Sequence, residues 1–495
     1  MADNIEEILG HHYERVIRDP LYGYIPITKI ENQVIDSASF QRLERLNQMH
    51  SAYLVYPSAK YTRKCHSLGV MYLAHRAFSS ILFRQHADIR KNIGQLLYKE
   101  PTIRTADNLQ DLKTLFDFPN GKGERNVQWV LQAIRLAGLL HDVGHAPLSH
   151  LFEDFCKEMN IEFNHEKMSQ EIIYNILCVE ENKLPDDMAR FVCAILSDPL
   201  DGKLHDDLAF LHQIINGPLD CDKFDYIMRD AYHAGTLEYG TIDVDRIIDG
   251  LLVKNGSLII DESEIGATMA YFNSVFNMYA SVYYHKTCRS FDLALVDAFK
   301  NTPDITKILN SPEEFLKWGD FEILKFVLDS GNEKAKEIIK SFFKREKIYR
   351  RLASCTLNID LPWIFTGGGS ATLKEKLENI VRKIEKQSDK IKVILDHRPR
   401  VRYVGIGLED IIKWLDKDVI YSSRDDKVKK LKEHNLSNYL TLVRVMIPIN
   451  VFVHRDDQAK LNEGEWYSLK KKTNELLRKE IDGLVHYFYF RYTHR

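Results

Sequence analysis

Over most of the first 350 residues apolar side chains recur every three or four positions, with few alternating runs, and that period fits an α-helix rather than a strand. Each such helix must bury one apolar stripe against its neighbours, so the expected class is mainly α. Two short stretches break the pattern. Val16 to Ile27 alternates around Asp19-Pro20 and Gly23, as a small hairpin does. Leu251 to Ile260 flanks Asn255-Gly256, a pair able to supply the two positive-φ residues of a type I′ turn.

After about Arg351 the texture changes. Thr356 to Leu361 and Ile391 to Leu395 read as strands among charged helices, which predicts an α+β C-terminal domain over residues 351–495 behind a helical core over residues 1–350. A chain of 495 residues has room for two to four domains. Residues 84–126, polar and turn-rich around Pro101 to Gly123, are expected to be an insertion. With 44% hydrophobic and 28% charged residues the chain reads as ordered and globular. A net charge of −3 argues against a surface given over wholly to nucleic acid. The seven cysteines are scattered and form no C-x-x-C pair, so neither a disulfide framework nor a cysteine zinc site is expected. The first residues lack a signal-peptide pattern, and no apolar run approaches a membrane span. The expectation is a cytoplasmic protein with no membrane partner.

The densest set of reactive side chains is His141-Asp142-Val143-Gly144-His145-Ala146-Pro147-Leu148-Ser149-His150, directly after the apolar stretch Val127 to Leu140. The preceding helix is expected to end at Gly144, placing His141 and Asp142 in its last turn. An imidazole beside a carboxylate gives mixed nitrogen and oxygen ligation, suited to Mn, Fe, Ni, Zn or Mg rather than to a closed structural zinc site. A single His-Asp pair is also common at capped helix ends, so its surroundings decide. Upstream, His66 sits near the start of a helix that continues through Met71 to Ala74. Downstream, Asp220 to His233 reads as a helix with Asp222, Tyr226, Arg229 or Asp230, and His233 on one face. A polar stripe of that kind is costly to bury unless it serves a purpose.

Five ordered motifs carry a resemblance. Phe40-Gln41-Arg42-Leu43, Arg63-x-x-His66-Ser67-Leu68-Gly69-Val70, the run from His141 to His150, Asn164-His165-Glu166, and Asp222-Lys223-x-Asp225-Tyr226-x-x-Arg229-Asp230 resemble the deoxynucleoside triphosphate triphosphohydrolase branch of the HD phosphohydrolases. The likeness covers roughly residues 10 to 350, and the C-terminal 140 residues match no motif. It implies that His66, His141, Asp142 and Asp222 ligate a divalent metal. It further implies that Arg63 and Lys223 hold the triphosphate, that Tyr226 packs on the sugar, that Gln48 and Asp230 bond the 3′-hydroxyl, and that Tyr283 lies on the substrate side. His145, His150 and His165 would surround the α-phosphorus, with Glu153 where the family usually has an aspartate; His150 oriented by Glu153 is the candidate proton donor. Asp36, Gln41, His285 and Lys286 match positions that contact an activating nucleotide. Two departures stand out. Asn273 to Phe276 lacks a basic residue common in the family, and Glu44 replaces a common arginine.

The expected partners are a nucleoside triphosphate substrate, an activating nucleotide and further copies of the chain, as dimer or tetramer. Alternative readings keep the metal site for another nucleotide or a nucleic-acid end, or make the site vestigial in a nucleotide-sensing or nucleic-acid-binding protein. Gly367-Gly368-Gly369-Ser370 lacks the Gly-Lys-Ser/Thr of a phosphate loop and reads as a flexible loop. The lysine runs Lys427 to Lys432 and Lys470 to Lys472 read chiefly as solvated helix faces, giving nucleic acid little support.

Overall fold

A computed structural model of the chain describes residues 13–85, 89, 122–197, 204, 206–359, 369–396, 420–422, 427–429 and 445–493. The core of the expected insertion, Gly367 and Gly368 of the glycine-rich run, and Lys430 to Lys432 lie outside the described residues.

The fold is mainly α, as the periodicity predicts. It opens with an antiparallel hairpin, β1 (Tyr13–Asp19) and β2 (Gly23–Thr28), in which Ile17 faces Ile25. Thr28 then caps α1 (Lys29–Ile35) through a reciprocal pair of bonds with Glu31. The long helix α2 (Arg63–Arg84) packs along α3 (Lys122–Leu140) through fully buried side chains such as Val70, Met71, Ala74, Leu136 and Leu139. Each large apolar side chain so buried contributes roughly 1.5–3 kcal/mol of transfer free energy. Short helices α4 (His150–Glu158), α5 (His165–Glu171) and α6 (Asp186–Leu196) follow.

Helix α7 (Cys221–Ala234) is bounded by local signals, Asp220 accepting from the Lys223 amide at its start and Gly235 in the left-handed conformation at its end. It lies across α2. The second expected hairpin is present as β3 (Leu251–Lys254) and β4 (Ser257–Asp261), with Asn255 and Gly256 at φ of 51° and 73°, the turn that the Asn-Gly pair predicts. Helices α8 (Ile265–Met278), α9 (Lys286–Lys300), α10 (Asp320–Ser330) and α11 (Glu333–Phe343) complete the helical core.

The C-terminal portion is α+β. Strand β5 (Tyr349–Ile359) and the following helix α12 (Gly369–Glu385) lead to β6 (Val393–Asp396). Strands β7 (Ile420–Ser422) and β8 (Lys427–Lys429) extend the β3–β4 hairpin, with β7 parallel to β4. Strand β9 (Val445–His454) pairs antiparallel with both β5 and β6, and α13 (Glu463–Thr493) covers β5. Helix α9 packs against both α11 and β5, so the helical core and this sheet share an interface. All seven cysteines are free. Among the described residues no helix is long and apolar enough to cross a membrane.

Candidate metal centre and cavity

Helix α3 stops at Leu140, four residues before the expected end at Gly144. His141 and Asp142 therefore stand in a turn beyond the helix. The reason is tertiary: Ser169 on α5 donates to the His141 carbonyl at 2.8 Å and accepts from the Gly144 amide at 2.9 Å, drawing the chain out of the helical path. Gly144 is required for this approach, since a Cβ there would lie 2.2 Å from the Ser169 nitrogen and 2.4 Å from the His165 carbonyl oxygen.

The turn faces α2 and α7. His66, His141 and Asp142 bring one ligating atom each within 4.8 Å of one another. Asp222 from α7 lies 2.9 Å from His66 Nε2 and 3.6 Å from His141 Nε2. His66 Nε2 is 3.7 Å and His141 Nε2 is 3.3 Å from the Asp142 carboxylate. Metal bonds of about 2.1 Å place neighbouring ligand atoms about 3 Å apart, so these spacings fit one divalent ion. His141 Nδ1 lies 2.8 Å from the Gly138 carbonyl, which fixes its proton there and leaves Nε2 buried with no hydrogen-bond partner. An orphaned imidazole nitrogen among carboxylates is what a ligand position requires.

Charge in the cluster follows from the same geometry. Burial opposes ionisation of Asp142, but Arg63, His141 and His145 hold its carboxyl well below the ordinary range. Arg63 is itself engaged, donating to Asp142 and, at 2.8 Å, to the Ser149 hydroxyl. Lys223 donates to Asp220 at 2.5 Å and to the Gly217 carbonyl at 3.1 Å. Both cations expected to hold phosphate are thus paired within the protein.

Beside the cluster, His145, His150 and His165 surround Glu153, which lies 3.7, 3.4 and 2.8 Å respectively from their Nδ1 atoms. Burial, with Arg63 and His165 nearby, pushes the His145 imidazole well down and keeps it neutral. His165 moves the other way, because its bond to Glu153 outweighs burial. Leu148 and Ser149 both have positive φ, 56° and 54°, and Ser149 at ψ −126° lies outside the left-handed helical well. That strained pair delivers His150 to the site.

One cavity of about 240 Å³ joins these groups. Its wall includes His141, Asp142, Asp222, the three histidines, Arg63 and Lys223, and then Gln48, Tyr226, Asp230 and Tyr283. Asp230 accepts from the phenols of Tyr61 and Tyr283, each at 2.5 Å. Burial raises its pKa to about 6, with those two bonds opposing. Gln48 Oε1 is buried without a partner. Residues without an expected role also line the cavity, among them His50, Arg289 and Asp292. A lone histidine such as His50 carries no spacing signal, whereas His212, equally isolated in sequence, bonds a backbone carbonyl in the core.

Arg229 does not share the cavity face of α7 as expected. It is fully buried on another face with Asp225, so the helix carries two polar stripes. The positions matched to an activating nucleotide lie outside the cavity wall. Asp36 pairs with Arg15 at 3.1 Å, Gln41 donates to the Ile35 carbonyl, His285 caps α9, and Lys286 opens that helix.

The HD domain family matches residues 105–198, and the HD associated region matches residues 242–404. A putative HD domain-containing protein of Acanthamoeba polyphaga mimivirus is 27% identical over 76% of this chain and 79% of its own length. The deoxynucleoside triphosphate triphosphohydrolase SAMHD1 homolog of Dictyostelium discoideum is 26% identical over 69% of this chain, and human SAMHD1 is 26% identical over 61%. These two matches span 61% and 47% of the relatives' own lengths. The crystal structure of a hypothetical protein from Aquifex aeolicus superposes with a TM-score of 0.61 at 24% identity, covering 94% of this chain and 99% of that one, and shows a shared fold. The domain match, the relatives and a His-Asp cluster able to hold a divalent ion agree: the chain carries an HD domain, that of metal-dependent phosphohydrolases, and resembles the deoxynucleoside triphosphate triphosphohydrolases among them.

Proposed function

We propose that the protein hydrolyses deoxynucleoside triphosphates to deoxynucleoside and inorganic triphosphate. The observation that carries this reading is the single cavity whose wall runs from the His-Asp cluster, past three histidines and two cations, to Tyr226, Asp230 and Gln48. A phosphoester at the first end and a sugar at the second suit that order of groups. The named triphosphohydrolases among the relatives support the same substrate class.

In this reading His66, His141, Asp142 and Asp222 hold the ion, which supplies Lewis acidity beside the α-phosphate. Arg63 and Lys223 exchange internal carboxylate partners for phosphate oxygens and offset their charge. Water attacks the α-phosphorus, and the bond to the 5′-oxygen breaks. The departing oxygen needs a proton, and His150, oriented by Glu153, donates it. His145 remains neutral and His165 stays bonded to Glu153. Tyr226 packs on the sugar face, Gln48 donates from its amide nitrogen to the 3′-hydroxyl oxygen, and Asp230 accepts from the same hydroxyl, with Tyr283 beside it.

Residues 1–350 form the catalytic unit in this reading, and residues 351–495 an α+β C-terminal domain packed on it. Assembly of several copies and a regulatory nucleotide at Asp36, Gln41, His285 and Lys286 belong to it as well. The test is incubation of purified protein with Mn²⁺ or Mg²⁺ and each dNTP and NTP, followed by chromatography. Deoxynucleoside plus triphosphate is expected; nucleoside monophosphate or diphosphate products would assign the site to another phosphoester.

A further inference from the structure

The polar stripe on α7 that faces away from the cavity has no part in the reaction described above, yet it reaches the metal cluster from behind. His66 has two ring nitrogens in two different settings. Nε2 faces Asp222 and Asp142, while Nδ1 lies 2.8 Å from the Asp225 carboxylate. A carboxylate at Nδ1 fixes the proton on that nitrogen and turns the Nε2 lone pair toward the cluster.

We propose that Asp225 is a positioning residue for the metal centre, setting the tautomer and orientation of His66, and that the β1–β2 hairpin holds Asp225 in turn. The inference rests on the reading of His66 as a metal ligand and not on the identity of the substrate. Asp225 has no exposed surface, and Arg229 grips it through two bonds of 2.9 and 2.8 Å. The Tyr22 hydroxyl, from the turn of the hairpin, donates to the same carboxylate at 2.7 Å. Arg229 also donates to Asp19 at 2.8 Å, and Asp19 accepts from the Leu21 and Tyr22 amides, so the turn and the guanidinium are locked together.

The approach of α7 to α2 is built around this contact. One turn after His66 stands Gly69, where a Cβ would lie 1.9 Å from Asp225 Oδ1. A buried set of two carboxylates and one guanidinium is a poor device for stability alone, because apolar side chains of equal volume usually serve as well. Beside a ligand imidazole it has a use: the ring cannot change tautomer without setting the Nδ1 lone pair against a carboxylate, nor flip without losing the bond to Asp225.

The experiment measures Mn²⁺ affinity of the full-length apoprotein by calorimetry, and the visible spectrum of the Co²⁺-loaded protein, for the unaltered chain and for His66→Ala, Asp225→Ala, Asp225→Asn and Tyr22→Phe. Asp225→Ala is expected to weaken Mn²⁺ by ~10- to 100-fold, the usual effect of removing a carboxylate that orients a metal-bound histidine, and to alter the Co²⁺ bands. Asp225→Asn falls between, and Tyr22→Phe shifts affinity least. Loss of affinity in His66→Ala with unchanged affinity and spectra in every folded Asp225 and Tyr22 variant would overturn the inference. Should Asp225→Ala fail to fold, Asp225→Asn and Tyr22→Phe decide between the same two outcomes. Full affinity in His66→Ala would instead overturn the metal reading on which the inference stands, and a missing dNTPase activity leaves both metal readouts intact.

Discussion

Glu153 sits closer to His165 than to His150, at 2.8 Å against 3.4 Å, although His150 is on its own helix. One carboxylate therefore serves two imidazoles on different elements, and burial of Glu153 makes each sensitive to the other. The pairing distinguishes their duties. The bond to Glu153 raises the His165 pKa against burial, whereas His150 lies farther from the same carboxylate.

His150→Ala is expected to keep metal and nucleotide binding and to slow turnover by ~10² to 10⁴, the usual contribution of a positioned acid or base. His165→Ala is expected to lower turnover less, by freeing Glu153. Single-turnover rates with calorimetric binding separate the two. If binding and turnover fall together in His150→Ala, that residue is not the proton donor.

The sugar end of the cavity predicts discrimination at C2′. A phenol ring packed on the sugar leaves little room for a 2′-hydroxyl, and a clash of ~2 kcal/mol corresponds to roughly thirtyfold preference for dATP over ATP. Tyr226→Ala is expected to erode that ratio. Because burial raises the Asp230 carboxyl to about 6, it accepts from a 3′-hydroxyl as a charged group above that pH and more weakly, as a neutral acid, below it. KM for dNTPs is therefore expected to rise as pH falls through 6, and Asp230→Asn to abolish that rise. Equal rates on ATP and dATP would remove the sugar-gate reading.

Metal and protons compete for the same nitrogens. Burial pulls the His66 imidazole down from its ordinary 6.5, but bonds to Asp222 and Asp225 prevail and raise it to about 10 in the metal-free protein. His141 is raised too, burial being outweighed by Asp142 and Asp222. A divalent ion must displace these protons, so its apparent affinity is expected to increase with pH up to about 10. Calorimetry in buffers of different ionisation enthalpy reads the release directly, and a buffer-independent heat at pH 7.5 contradicts it. The sign for folding is opposite. A raised folded pKa contributes stability that is fully present below 6.5 and lost as pH climbs through about 10, so the Tm of the apoprotein is expected to fall across that window.

Much of this arrangement is legible in the chain because its signals are local. Helical periodicity and the Asn255-Gly256 turn each lie within a few residues of the structure they specify. The cluster's members, too, are marked by neighbours in their own motifs. What the sequence hides depends on distant partners. The early end of α3 is imposed by Ser169, 25 residues beyond Gly144. Tyr22 meets Asp225 across 203 positions, and no spacing rule links a hairpin turn to a helix that far away. The pairing of Arg63 with Asp142, 79 positions away, is likewise invisible, whereas Lys223 pairs with Asp220 only three residues before it.

The cavity wall also depends on the C-terminal sheet. Asp396 at the end of β6 takes two bonds from Arg289, at 3.1 and 2.9 Å, while Arg289 donates a third to Asp292 at 3.1 Å. Asp292 in turn accepts from Ser51 at 2.5 Å and lies 3.4 Å from His50, two residues beyond Gln48. All of Arg289, Asp292 and Asp396 are buried. Removing Asp396 leaves the guanidinium with one carboxylate instead of two, and breaking a buried pair commonly costs about 3–5 kcal/mol. Strain passed to the loop bearing Gln48 would loosen the sugar end of the cavity and leave the metal end alone. Asp396→Asn is thus expected to raise KM for dNTPs about tenfold, equivalent to ~1.4 kcal/mol, with kcat nearly unchanged and a lower Tm. Steady-state kinetics beside a thermal melt decide the matter: a lower Tm with unaltered KM would mean that the sheet supports the fold without shaping the cavity.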